Sequence, residues 1–370
     1  MILRLAVAWI TVAAFLVFGS QILAFLNTSL FAGLIFAWLL AVIMWAAFGV
    51  VHEAEELAER LGEPYGTLIL TLSIVIIEVA LISAVMLGAK GNPTLGRDTM
   101  FAVLMIVLNG VVGIGLIAGG RRHFVQRYNL KGATSYLSVI IPLSVITLIL
   151  PNFTTSTDNG TLTIGQAVSF SLFTAVLYGS FLTLQVGRHS AFYREPDENG
   201  GWETPATRRA GGHASEASSK GTIWPTVALL LANILPIVIL AKSLATVLDF
   251  GIARLGAPPA LGGILIAMVV FTPECITALR AITANELQRA INLCLGAAAS
   301  TLGLTVPAVL MIGVMTGQSV VLGLSPTNMV LLAMTLVLST LTFTGTRTTM
   351  LEGAVHLGVF FVFLVLVFSP

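Results

Sequence analysis

Gly66-Thr67-Leu68-Ile69-Leu70-Thr71-Leu72-Ser73-Ile74-Val75-Ile76-Ile77-Glu78 places one carboxylate twelve residues after a glycine, deep in an apolar run. The arrangement returns 196 residues later, where Gly262 is followed after twelve residues by Glu274, at the end of Val269-Val270-Phe271-Thr272-Pro273-Glu274. Both runs are long enough to cross a bilayer. A carboxylate near the bilayer centre costs roughly 2.5–3.5 kcal/mol on insertion scales, so one that is kept faces a cavity, a partner or a translocated ion. Two at matched positions point to one shared site.

Composition sets the class. Of 370 residues, 56% are hydrophobic and 9% charged, with a mean hydropathy of +0.97. Soluble chains carry about a quarter charged residues to cover their surface; this one has the lipid bilayer as its solvent. A net charge of +1, without a basic stripe interleaved with aromatics, argues against nucleic acid as a partner. Cys275 and Cys294 fall in apolar segments and read as small reduced hydrophobes rather than a disulfide or metal pair. An intramembrane protease or metalloenzyme would need paired aspartates, a serine with a His or Lys partner, or clustered histidines at membrane depth. The five histidines, at 52, 123, 189, 213 and 356, read as lying at or beyond helix ends, so no cofactor and no enzymatic activity are expected.

Apolar runs predict spans near 5–26, 30–50, 66–88, 99–118, 134–151, 163–185, 223–241, 259–279, 288–314, 320–343 and 352–369. The expected fold is an all-α polytopic membrane protein of about 11 transmembrane helices. The first run is longer than a signal-peptide core and reads as a retained helix. An N-terminus inside puts all of the 18 basic residues except Lys90, Arg97, Lys242 and Arg254 on the cytoplasmic side. That predicts a multi-pass protein of the cell inner (plasma) membrane, with a cytoplasmic N-terminus and an external C-terminus. The third and eighth helices then cross in opposite senses, and at 1.5 Å per residue both glutamates lie about 18 Å along them, near the middle of a core about 30 Å thick.

The chain accordingly divides into an additional N-terminal helix (1–29), a first inverted five-helix repeat (30–186), a cytoplasmic linker (187–222) and a second inverted repeat (223–370). Gly187 to Lys220 is polar, balanced in charge and rich in Gly, Ser and Pro, as a flexible linker is. Inverted repeats with a midplane site are a recurring plan of secondary transporters.

Around the carboxylates, Ser73, Thr272, Ser300 and Thr301 offer hydroxyls and Asn109 an amide. Pro273 removes a backbone donor, which predicts a broken helix with free carbonyl oxygens beside Glu274. Ca²⁺ takes six to eight oxygens, so neutral groups or water must complete any shell the glutamates begin. Asn109 also sits among Gly110, Gly113 and Gly115, which permit close packing; ligand and packing roles both stand. A proton can neutralise the carboxylates when no cation does, and that competition, with alternating access, suffices for antiport. His52 to Arg60 reads as a solvated amphipathic turn whose Glu55 and Glu56 attract cations. Glu352 and His356 read as an interfacial pair at the start of the last helix.

Gly66-Thr67-Leu68-Ile69-Leu70 with Glu78, and Thr272-Pro273-Glu274 followed by Gln288-Arg289-Ala290-Ile291-Asn292-Leu293, resemble the two alpha-repeat regions of bacterial sodium/calcium:proton antiporters. These belong to the cation/proton exchanger family of the calcium:cation antiporter superfamily. The likeness extends through Arg97-Asp98-Thr99, Tyr128-Asn129-Leu130, Leu304-Thr305-Val306-Pro307 and Gly353-Ala354-Val355-His356-Leu357. It implies exchange of Ca²⁺, or of Na⁺ or K⁺, for protons, with Glu78 and Glu274 binding both cation and proton, and hence ligating a transported Ca²⁺. Members of the wider family carry Gly-Asn before each repeat glutamate, whereas Ile74-Val75 and Val270-Phe271 stand here; the choice among Ca²⁺, Na⁺ and K⁺ stays open. A cation channel with midplane carboxylates is the alternative that inverted halves argue against.

Overall fold

The computed structural model describes residues 2–24, 29–61, 65–86, 93–157, 160–196, 223–345 and 347–369. Among them, nine helices are long and apolar enough to cross a membrane, and two shorter apolar helices bring the set to eleven. In chain order these are α1 (Ile2–Ala24), α2 (Ser29–Leu61), α3 (Tyr65–Met86), α4 (Leu95–His123), α5 (Leu130–Phe153), α6 (Ile164–Val186), α7 (Trp224–Leu255), α8 (Ala260–Thr283), α9 (Leu287–Thr316), α10 (Pro326–Thr342) and α11 (Met350–Phe368). A helix satisfies all its interior backbone groups by itself, which is what a segment in hydrocarbon requires. Starts are fixed by side-chain caps: Asn129 accepts from the amides of Lys131 and Gly132, and Thr163 with Gln166 and Thr349 with Glu352 form capping boxes. Gly256 and Gly317 take left-handed conformations, at φ 60° and 69°, to close α7 and α9.

The packing shows a two-fold relation between halves. α2 packs on α7, α3 on α8, α4 on α9 and α5 on α10. Contacts of α3 with α7, α4 with α8, α4 with α11 and α5 with α9 have mates in α8 with α2, α9 with α3, α9 with α6 and α10 with α4. Exchanging the halves maps these contacts onto themselves, and five crossings per half make the halves inverted. α1 lies outside this symmetry and touches both α2 and α7. Arg4 fixes it there, pairing with the buried Glu53 at 3.3 Å and donating to Asn233 Oδ1 at 3.1 Å. Gly49 makes room for the guanidinium, since a Cβ there would lie 2.4 Å from Arg4 Cζ.

α2 and α7 overrun the predicted ends at 50 and 241, with 33 and 32 residues. At 1.5 Å per residue each is about 50 Å long, so each projects beyond the hydrocarbon. His52 to Arg60 is therefore the last part of a continuous helix rather than a separate turn. Three π-helical stretches, Ile106–Val111, Val145–Ile149 and Thr301–Thr305, widen α4, α5 and α9. α8 runs unbroken through Pro273, contrary to the expected break; Pro273 withholds one backbone bond without ending the helix.

A two-residue antiparallel ribbon, absent from the all-α expectation, pairs Gln126–Arg127 with Arg347–Thr348. Elsewhere Val321 N donates to Pro93 O and Leu324 N to Leu148 O, both at 2.9 Å. At the crossing of α4 and α11, Gly113 and Gly353 meet: a Cβ on Gly113 would come within 2.9 Å of Leu357 N, and one on Gly353 within 2.8 Å of Gly113 O. Gly113 is thus a packing glycine.

Candidate functional site

Glu78 on α3 is fully buried. Its Oε2 accepts from Thr305 Oγ1 at 2.7 Å and Thr301 Oγ1 at 3.2 Å, both on the π-helical stretch of α9. Gly303 lets that stretch press against α6, since a Cβ there would lie 2.4 Å from the Tyr178 side chain. Oε1 has no partner among the described residues.

Glu274 on α8 is only half-buried. Its Oε2 is shielded from solvent and unpartnered among the described residues, and no threonine reaches it. It lies instead on a cavity of about 290 Å³, whose walls include Thr71 of α3, Tyr136 of α5, Tyr178 of α6 and Ser300 of α9, and which reaches Arg194 and Arg289. A water occupies about 30 Å³ in liquid, so several waters or a partly hydrated cation fit.

The cavity is framed by aromatics. Tyr136 packs against Phe181 and Tyr193 at centroid distances of 5.1 and 5.4 Å, and its hydroxyl accepts from Gln185 at 2.6 Å. Residues 187–196, expected as flexible linker, are docked at the mouth. Tyr193 O accepts from Asn292 Nδ2 at 2.6 Å, and Glu195 Oε1 accepts from the Arg289 amide at 2.9 Å, at the start of α9. Partial burial raises the Glu195 pKa above the usual carboxylate value, against the lowering effect of that bond. Residues 197–222, including His213, lie outside the described residues.

Of the predicted supporting groups, Thr301 meets Glu78, and Ser300 lines the cavity with Glu274 while donating to Ala297 O at 3.0 Å. Ser73 and Thr272 donate to Ile69 O and Met268 O of their own helices, at 2.7 and 2.5 Å. Asn109 belongs to a different cluster. Its Nδ2 donates at 2.9 Å to Thr335 Oγ1, which donates onward to Leu331 O. Asn109 Oδ1 is therefore the acceptor for His356 Nδ1 at 3.1 Å, and His356 Nε2 accepts from Thr342 Oγ1 at 3.0 Å.

His356 is thus buried inside α11 and His52 lies within α2, which corrects the placement of all histidines at helix ends. Glu352 caps its own helix at Thr349 rather than pairing with His356. Glu56 forms an exposed ion pair with Arg60. Both cysteines are free thiols, and no group of three or more His, Cys, Asp or Glu able to hold a metal occurs among the described residues.

Sequence reasoning missed Thr305, Thr71 and the tyrosines. Thr305 carried a readable signal, four residues after Thr301 in an otherwise apolar segment. The tyrosines did not, because they come from separate helices and the docked linker.

Two carboxylates at membrane depth between inverted five-helix halves, one enclosed and one open to a polar cavity, are what a secondary transporter of cations needs. The chain belongs to the sodium/calcium exchanger family, whose model, described as "Sodium/calcium exchanger protein", matches residues 31–187 and 225–369. This is a family of cation antiporters, not of catalytic enzymes. The putative ionic transporter y4hA of Sinorhizobium fredii (strain NBRC 101917 / NGR234) is 41% identical over 326 residues, covering 88% of this chain and 86% of that protein. The sodium-potassium/proton antiporter ChaA of Escherichia coli (strain K12) is 38% identical over 328 residues, covering 88% and 87%. Native YfkE matches in fold with a TM-score of 0.74 at 14% identity, over 99% of this chain and all (100%) of that one. The H⁺/Ca²⁺ exchanger CAX matches with 0.63 at 13% identity, over 96% and 87%.

Proposed function

We propose that the protein exports cytoplasmic Ca²⁺, Na⁺ or K⁺ in exchange for external protons, by alternating access at Glu78 and Glu274. The observation that carries this is the carboxylate pair itself: two acidic groups at bilayer depth, each with an oxygen unpartnered among the described residues, and a water-sized route to one of them. An unpaired buried carboxylate is costly, and a proton or a cation relieves that cost. Glu78 and Glu274 would be the ligands of a transported Ca²⁺, with Thr301, Ser300 and water completing the shell, and Ser73 and Thr272 held in reserve by their own helices. Asn109, spent on His356 and Thr335, is read as a packing residue.

A monovalent preference also has support. The amide-bearing pairs expected before each glutamate are Ile74-Val75 and Val270-Phe271, which leaves few neutral oxygens for a divalent ion. The name of the Escherichia coli relative, a sodium-potassium/proton antiporter, points the same way; that of a 22% identical protein of Aphanothece halophytica, a Ca²⁺/H⁺ antiporter, points to calcium.

The distribution of Lys and Arg supports a cytoplasmic N-terminus in the cell inner membrane, which makes the cavity at Arg194 and Arg289 the cytoplasmic entrance, with Glu55 raising cation concentration near it. The division into 1–29, 30–186, 187–222 and 223–370 goes with this orientation. Inorganic cations and protons are the expected partners, with no cofactor. Proton flux in proteoliposomes with a preformed pH gradient, challenged separately with Ca²⁺, Na⁺, K⁺ and Mg²⁺, tests the proposal. Dissipation by at least one ion, lost in Glu78→Gln and Glu274→Gln, is expected; no response from folded, inserted protein would overturn it.

A further inference from the structure

Glu78 receives two hydroxyl hydrogens on the same oxygen, and they come from one face of one helix. Thr301 and Thr305 lie four residues apart on the π-helical stretch of α9, both fully buried. A threonine in an apolar helix ordinarily donates to a carbonyl of the turn before it. Thr147, Thr246, Thr272, Thr277, Thr316, Thr335 and Thr340 all do so here. Thr305 donates its hydrogen bond to Glu78 instead, in the shorter of the two bonds. Because the two threonines hold Oε2, only Oε1 stays uncommitted. Glu274 has no such clamp.

We propose that Thr305 is a positioning residue of the exchange site: with Thr301 it holds the Glu78 carboxylate against α9 by Oε2, so that Oε1 is the oxygen left for the cation. This rests on Glu78 and Glu274 being the exchange pair. A carboxylate already held in one orientation costs less to order when a cation binds, so the two hydrogen bonds favour cation binding by preorganisation. Losing the hydroxyl lets the carboxylate turn while keeping it in the site. At saturating cation the site still fills and turns over, so the effect belongs in KM rather than in the maximal rate.

The test is cation-dependent proton flux in proteoliposomes for Thr305→Val and Thr305→Ser, using whichever of Ca²⁺, Na⁺ or K⁺ the parent exchanges. Valine keeps the shape and removes the donor; serine restores it. A hydrogen bond to a charged group is worth enough to change an equilibrium roughly tenfold or more. The expected result is therefore a KM raised about tenfold in Thr305→Val, a maximal rate within about a factor of two, and parental values in Thr305→Ser. An unchanged KM in Thr305→Val overturns the inference, as does a serine variant as impaired as valine. If the valine protein is not recovered folded, Thr305→Ala against Thr305→Ser decides the same point. Glu78→Gln is measured alongside: parental exchange in that variant removes the carboxylate-pair reading itself, whereas its loss with an unaltered Thr305→Val removes only the role of Thr305.

Discussion

Glu78 and Glu274 occupy related positions in the two halves, yet their surroundings differ in kind. Glu78 is enclosed and its Oε2 is gripped by two threonines of α9. Glu274 shares a small void with Val107 of the corresponding π-helical stretch of α4, Ile106–Val111, has no side-chain donor among the described residues, and opens to the cavity instead. A symmetric plan has been filled with asymmetric chemistry. In this structure Glu274 lines a cavity while Glu78 is packed around on all sides. The pair differs by access as well as by ligation.

Removing either carboxylate should have the largest effect. Glu78→Gln and Glu274→Gln are each expected to lower cation-coupled proton flux by more than about 100-fold, the scale of a lost interaction with a charge; one silent variant would show that the halves do not share the work. The difference in access is tested next. In protein with Cys275 and Cys294 replaced by alanine, a hydrophilic thiol reagent should modify Glu274→Cys at least about tenfold faster than Glu78→Cys, since reaction follows exposure. Equal rates would dissolve the contrast drawn above.

Gly113→Val should cost about 1–3 kcal/mol by overpacking the α4–α11 crossing, read as a lower Tm in detergent, and should be worse than the same change at Gly358, where a Cβ meets nothing within 4 Å. His356→Leu should cost about 1–3 kcal/mol by stranding Asn109 Oδ1 and Thr342 Oγ1, with KM for the cation unchanged in the surviving protein. A raised KM would bring Asn109 back to the site. The smallest effect is expected for Glu56→Gln, within about 1 kcal/mol because the Arg60 pair is exposed, with exchange unaltered.

The spans and the two glutamates were legible in the sequence because each rests on a single cost, that of polar groups in hydrocarbon. The overruns of α2 and α7 were not, because beyond the hydrocarbon charges cost little and hydropathy falls silent where the helix continues. Pro273 misled for a related reason: it removes one hydrogen bond, and the neighbouring turns hold the helix together. His356 looked interfacial from its place at the start of the last helix; in the structure it is buried and hydrogen-bonded to Asn109, 247 residues away. Thr301 stood out as a hydroxyl in an apolar helix and Thr305 could have been found four residues on, whereas the tyrosines are picked out only by what faces them across the bundle.

The backbone bonds that tie residue 93 to 321 and 148 to 324, with the ribbon joining 126–127 to 347–348, bear on how the chain is made. Synthesis delivers residue 93 long before residue 321, and helices α3 to α6 wait in the bilayer with these groups unmet. The threonine clamp on Glu78 likewise arrives 227 residues late. Contacts of such separation are slow to form, because the entropy of closing the loop comes first. The first half cannot be finished before the second is inserted: truncation after α6 leaves an unassembled intermediate rather than half a transporter, and Glu78 stays without its threonine partners for the time it takes to translate the rest.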